Sequence, residues 1–146
     1  MQRYLARVSG PLLDRIDLHV EVPAVRYREL ASQRGGEPSE AVRDRVRRAR
    51  ELQAERYGAR PDIHANAHMA PRDLRQFCRI GEAGDALLRT AINRLGLSAR
   101  AYHRVLKIAR TIADLDRAAE IGTSHVGEAI QYRSLDRGAG AAHAHA

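Results

Sequence analysis

The chain has 146 residues, of which 44% are hydrophobic but only 4% aromatic, with no Trp and one Phe. This length fits one domain with a core of Leu, Ile, Val and Ala, a composition that favours helices over a sheet. The single cysteine, Cys78, excludes an internal disulfide, and no apolar run approaches the roughly 18 residues of a membrane span. Because no signal-peptide pattern is present, we expect a cytoplasmic protein without a membrane partner.

The net charge of +7 and the isoelectric point near 10.4 suit contact with nucleic-acid phosphates. However, Lys107 is the one lysine among 25 basic residues, and a genome-wide preference for Arg and Ala explains the composition equally well. Charge alone therefore leaves nucleic-acid binding open.

One short β-strand is predicted at Ile16–Val22, where apolar residues alternate with Asp17, His19 and Glu21 until Pro23. A single strand needs a partner, which this chain does not obviously supply. From residue 25 to Pro38 the sequence predicts irregular structure.

Five helices are predicted after this N-terminal segment. Ser39 is the expected N-cap of the first, which reaches Tyr57, ends at Gly58 and buries an apolar face. That face consists of Val42, Val46, Ala49 and Leu52. The other predicted helices are Pro71–Cys78, Glu82–Leu95, Ala99–Arg117 and Ser124–Arg133, with Gly96 ending the third, Ser98 capping the fourth and Thr123 capping the fifth.

Two groups of residues could carry chemistry. On the fourth helix, Arg100, Arg104 and Lys107 fall within one narrow sector, and Arg100 lies in the first turn, where backbone N–H groups and the helix dipole favour an anion. Arg15 precedes the predicted strand in a Leu-Leu-Asp-Arg turn, from which its planar guanidinium could reach a phosphate. Spacing alone also allows ordinary surface ion pairs at both places.

Other residues suggest weaker possibilities. The first helix offers Arg43, Arg47 and Arg50 as a candidate nucleic-acid footprint. His64 and His68 have half of a zinc-site spacing, but no third ligand accompanies them, so no metal site is predicted. The sequence also contains no Gly-Lys pair and hence no phosphate loop, and no apolar strand ends in a magnesium-binding acidic pair. The chain alone is therefore expected to be unable to hydrolyse ATP.

Four stretches in order resemble the C-terminal region of magnesium-chelatase-like AAA+ ATPases of the ComM/YifB family. They are RVSGPLLDRIDL (residues 7–18), LSARAYHR (97–104), ARTIADL (109–115) and EAIQYR (128–133). The resemblance implies a mainly α fold: a helical bundle like an AAA+ lid domain, preceded by one short strand and an irregular segment. It divides the chain into the edge of the AAA+ core (1–38) and the lid (39–134). The Gly-, Ala- and His-rich composition at the end of the chain predicts a disordered tail (135–146).

The same resemblance implies roles for two arginines. Arg15 matches the arginine finger, which acts at the neighbouring subunit's nucleotide, and Arg100 matches the sensor-2 residue, which contacts the ATP phosphate. The implied assembly is a homo-oligomeric ring, usually a hexamer, that uses ATP and Mg²⁺. The phosphate loop, the magnesium-binding strand and the first sensor would then lie upstream of Met1, in the rest of the AAA+ core, so no cofactor is expected in this chain alone.

For function, the resemblance implies a DNA motor that drives branch migration during natural transformation. Three alternatives remain: an ATPase subunit of a magnesium chelatase, a basic nucleic-acid-binding helical module, and a structural lid without nucleotide contact.

Overall fold

The computed structural model of the protein describes residues 12, 15–20, 22–24, 35–58 and 60–133. Within them the chain forms five α-helices and one 3-10 helix. The helices are α1 (Ser39–Tyr57), the 3-10 helix (Asn66–His68), α2 (Pro71–Phe77), α3 (Glu82–Leu95), α4 (Ala99–Leu115) and α5 (Thr123–Gln131). The predicted mainly helical class is confirmed. The predicted irregular structure at residues 25–34 and the predicted tail at 135–146 lie outside the described residues.

Helix α4 is the centre of the bundle. Its Val105, Ala109 and Ala113 are completely buried, as the unbroken i, i+3, i+4 spacing predicts. It packs against α1, α2, the 3-10 helix and α5, and α5 packs in turn against α3. The core between these helices is aliphatic apart from Tyr57 and the sulfur atoms of Met69 and Cys78. None of the described helices has both the length and the apolar character needed to cross a membrane.

The predicted signals at the α3–α4 turn are present. Gly96 ends α3 in the left-handed region, with φ of 63°, where an L side chain would be strained. Ser98 then caps α4, and its Oγ accepts the backbone N–H of Ala101 at 3.1 Å. Helix α4 ends at Leu115, two residues before the predicted Arg117, which itself adopts a left-handed φ of 58°.

Two predicted N-caps are shifted by one residue. Pro38 is the N-cap of α1, so Ser39 is the first helical residue and no side chain caps this helix. Gly122 occupies the corresponding position before α5, where its N–H donates to His125 Nδ1 at 2.9 Å. Thr123 therefore begins the helix instead of capping it.

The N-terminal half of α1 departs from the predicted apolar face. Val42 and Val46 are 38% and 48% exposed, and the buried residues of this helix are Ala49, Gln53 and Tyr57. The spacing is correct for a helix, but the bundle covers only its C-terminal half. The first turns of α1 therefore extend beyond the core.

The predicted strand is not formed among the described residues of Ile16–Val22. Its apolar side chains are exposed, whereas His19 is buried, the reverse of the expected pattern. A strand needs a neighbouring strand to supply its hydrogen-bond partners, and none pairs with the described part of this segment. The His19 N–H instead donates to the Tyr132 carbonyl, at the end of α5, at 2.8 Å. Alternation in the sequence therefore predicted neither the exposure of these apolar side chains nor the partner of His19.

Candidate functional site

Arg15 lies on the surface in a turn whose backbone N–H donates to the Leu12 carbonyl at 3.0 Å. Directly after this turn, Asp17 Oδ1 forms an ion pair with Arg104 Nε of α4 at 2.7 Å. The Arg104 side chain is 18% exposed, whereas the Asp17 side chain is 56% exposed, so water reaches the pair from the Asp17 side. The turn that carries Arg15 is thus attached to the helix that carries Arg100.

A second attachment comes from the C-terminal end of the bundle. Arg133, which is completely buried, donates through its guanidinium to the Ile16 carbonyl. The neighbouring Tyr132 carbonyl accepts the His19 backbone N–H. Both ends of residues 16–19 are consequently held against the helices.

Arg100 is exposed in the first turn of α4, two residues after its Ser98 cap. Two further residues of the predicted stripe join segments of the fold: Arg104 binds Asp17, and Lys107 Nζ donates to the Ala67 carbonyl at 2.7 Å. The stripe therefore has one surface member beside the N-terminus of the helix and two members that join segments of the fold.

A largely apolar cleft of about 450 Å³ is lined by Asp17, Leu18 and Val20 together with residues of α4 and α5. Its floor includes Ile108, Ile112 and Leu115, while Arg104 and Lys107 supply positive charge on one side. The cleft lies at the junction between the segment that follows Arg15 and the helical bundle.

Beneath this surface is a buried polar cluster centred on Asp114, which the sequence did not predict as a site. Asp114 accepts hydrogen bonds from Arg56 at 2.9 Å, Arg110 at 3.0 Å and Asn66 at 2.8 Å. Arg110 also donates to the Ala118 and Ala119 carbonyls just after α4. Because Arg56 and Asp114 are 58 residues apart in sequence, no local spacing could reveal this cluster. It joins α1, the 3-10 helix and α4.

Burial raises the pKa values of two groups near this cluster, the Cys78 thiol and the Tyr57 hydroxyl. The pKa of the Cys78 thiol is raised to about 12, chiefly because burial disfavours the thiolate, so the sulfur is protonated at neutral pH. Burial likewise raises the pKa of Tyr57, whose hydroxyl donates to Asn66 Oδ1. Both groups belong to the packed interior.

The proposed nucleic-acid footprint lies on the exposed part of α1. Arg43, Arg47 and Arg50 are all exposed, as a footprint requires. Arg47 lies 3.4 Å from Asp44 and 3.9 Å from Glu51, and Arg50 donates to Gln53 at 3.0 Å. Asp44 and Glu51 offset part of this positive charge, whereas Gln53 is neutral.

The described residues contain no group of three side chains that could hold a metal ion. His64 and His68 do lie together, with ring centroids 5.9 Å apart, but His68 Nδ1 accepts the His64 backbone N–H. That nitrogen is therefore occupied by a local turn.

The family model described as "Magnesium chelatase, subunit ChlI C-terminal" matches residues 36–133, and the model described as "Magnesium chelatase, subunit ChlI" matches residues 1–30. The chain belongs to the magnesium chelatase ChlI C-terminal family.

Among its relatives, the chain is 42% identical over 138 residues to the competence protein ComM of Haemophilus influenzae. It is 44% identical over 137 residues to the uncharacterized protein YifB of Escherichia coli. These matches cover 94% and 92% of the chain but 26% of each relative. The chain therefore spans about a quarter of the length of the relatives it matches, and the predicted ComM/YifB resemblance is confirmed.

Proposed function

We propose that this chain is the lid and arginine-finger region of a ComM-like AAA+ ATPase. The observation that carries the proposal is the match to ComM and YifB over more than nine-tenths of the chain, including the Arg15 turn and the start of α4. The surface positions of Arg15 and Arg100 support it, because a residue that contacts a nucleotide outside this chain must be accessible.

Arg15 would act in trans as the arginine finger and Arg100 as the sensor-2 residue. ATP with Mg²⁺, held by the rest of the protein, supplies the phosphoryl group that is transferred to water. Each guanidinium would donate hydrogen bonds to phosphate oxygens and stabilise the charge that develops there. Arg100 fits such a ligand because it adjoins the N-terminus of α4, where the helix dipole also favours an anion.

The proposal implies a ring of subunits, with ATP at each boundary. It places the remaining catalytic groups in the AAA+ core of the complete protein and the ring in the cytoplasm. The magnesium and ATP requirement belongs to that complete protein. The 146-residue chain on its own is expected to show no ATP turnover.

ATP hydrolysis by the complete protein tests both assignments. Arg15→Ala and Arg100→Ala should each lower kcat by roughly a hundredfold or more while the ring still assembles. Arg89→Ala removes an exposed arginine from α3 and serves as the matched control, with turnover near that of the wild type. Normal turnover in Arg100→Ala would instead support a structural lid without nucleotide contact.

The substrate of the motor is a separate proposal. One relative is named a competence protein, which supports a DNA motor that drives branch migration during natural transformation. If this is correct, branched DNA should stimulate ATP turnover and the ring should move a three-strand or four-strand junction. The family description suggests a chelatase-type alternative. In that case DNA would leave the ATP turnover unchanged, and subunits of a metal-inserting complex would increase it.

A second candidate function is direct DNA contact through α1. It is favoured by the exposed N-terminal half of this helix, which presents Arg43, Arg47 and Arg50 beside uncovered valines. Replacing the three arginines with Gln should weaken DNA binding and reduce the slope of log K against log salt by about 2 to 3. The control replaces three arginines elsewhere, Arg79, Arg89 and Arg94, so that the loss of net charge is equal. An equal effect of both triple variants would contradict a specific footprint.

A further inference from the structure

We propose that Arg104 is a positioning residue that joins the Arg15 turn to the Arg100 helix, so that the two arginines move as one unit. The inference rests on the proposed function of Arg15 and Arg100. It assigns to Arg104 a role different from theirs, since Arg104 contacts protein atoms and reaches no nucleotide itself.

Arg104 contacts the two residues that follow Arg15. Its Nε lies 2.7 Å from Asp17 Oδ1, and its Nη1 approaches the Ile16 carbonyl at 3.5 Å. Ile16 and Asp17 directly follow Arg15 in the chain, while Arg104 is one helical turn after Arg100 in α4. The Arg104 side chain thus connects α4 to the segment that follows Arg15. Its contacts lie within one or two residues of Arg15 and one helical turn from Arg100.

Both elements that Arg104 connects are held in place by other contacts. Helix α4 is fixed by the core through Val105 and by the buried Asp114 cluster further along. On the other side, Arg133 holds the Ile16 carbonyl from the end of α5. A guanidinium that pairs with a carboxylate between two fixed elements restricts direction as well as distance, which a more flexible contact would not do.

The consequence is a fixed placement of the Arg15 turn relative to the start of α4, which carries Arg100. Since a misplacement of about 1 Å in a positioned group can cost roughly a hundredfold in rate, a loosened Arg15 turn should impair turnover without removing the finger.

The test uses the complete ATPase with Arg104→Gln. We expect kcat to fall roughly tenfold, with the KM for ATP changed by less than about twofold, because Arg100 is left in place. If Arg104→Gln assembles poorly, Asp17→Asn is the second variant, because the Asp17 side chain is 56% exposed and its replacement should leave the fold intact. It should lower kcat to the same extent. Asp85→Asn breaks an exposed Arg–Asp pair of the same length on α3 and is the matched control, with unchanged turnover.

A double-variant comparison distinguishes positioning from general damage. In single-turnover assays, Arg104→Gln should cause no further loss in an Arg15→Ala background, because its effect passes through Arg15. Exchanging the charges with Arg104→Asp and Asp17→Arg should recover part of the lost rate. Unchanged kcat in Arg104→Gln, or a loss that multiplies with that of Arg15→Ala, would overturn the inference while leaving the finger assignment intact. Normal turnover in Arg15→Ala would overturn the proposed function itself, and this inference with it.

Discussion

Among the single residues, Asp114 connects three elements of the bundle: α1, the 3-10 helix and α4. Its carboxylate is completely buried and accepts hydrogen bonds from two arginines and from Asn66. A buried carboxylate is tolerated only when such partners offset the loss of water, and removal of one partner leaves the others uncompensated. Asp114 therefore holds α1 and the 3-10 helix against the helix that carries Arg100.

We predict that Asp114→Ala lowers the free energy of unfolding by about 3 to 5 kcal/mol, since Arg56 and Arg110 would remain partly buried without their shared carboxylate. Urea denaturation followed by circular dichroism measures this change. Asp62→Ala, which removes a 60% exposed carboxylate, should stay within about 0.5 kcal/mol of the wild type. Similar values for the two variants would show that the cluster contributes little.

Asp73 makes the stability depend on acid pH. Its pKa is lowered first by the backbone N–H of Ala70, which donates at 2.7 Å, and further by Arg60 at 2.9 Å. Because the folded-state pKa lies below the unfolded value of about 3.9, the carboxylate stabilises the fold above that pH. This contribution is lost as the pH falls through the folded-state pKa.

Urea titrations at a series of pH values between about 5 and 2 test the sign of this effect. The free energy of unfolding of the wild type should fall more steeply toward low pH than that of Asp73→Asn, which cannot be protonated in this range. Parallel curves for the two proteins would contradict a lowered pKa in the folded state.

At the scale of elements, the helix boundaries follow from local chemistry. Gly58 and Gly96 mark helix ends, and Ser98 marks a start, because each acts on backbone groups within a few residues. Sequence could therefore predict these limits to within two residues. It could not predict that the bundle leaves Val42 and Val46 uncovered, since burial depends on elements that are distant in sequence.

The two serines at helix starts provide a matched test of capping. Ser98→Ala should lower the free energy of unfolding by about 1 kcal/mol, because the Ala101 N–H loses its acceptor. Ser39→Ala should have almost no effect, because Pro38 occupies the N-cap of α1 and no side chain caps that helix. Chemical denaturation of the two variants measures the difference, and an equal loss would contradict the assigned caps.

At the scale of the whole molecule, the candidate site was predictable only in part. The motifs gave Arg15 and Arg100, and the family match supports the resemblance on which their roles rest. The pairing of Asp17 with Arg104, 87 positions later in the sequence, arises from the tertiary fold and has no local pattern. The alternation at Ile16–Val22 likewise could not show that the end of α5 would supply the acceptor for the His19 N–H.

The central claim is that Arg15 completes the ATP site of a neighbouring subunit, and mixed rings test it most directly. Complete subunits with Arg15→Ala are mixed equally with subunits whose phosphate loop is defective, each inactive alone. Random mixing places an intact phosphate loop opposite an intact finger at about a quarter of the boundaries, so ATP turnover should reappear. Wild-type subunits mixed with the same phosphate-loop variant show how much turnover a mixed ring retains. If that control is active and the Arg15→Ala mixture remains inactive, Arg15 does not act across the boundary.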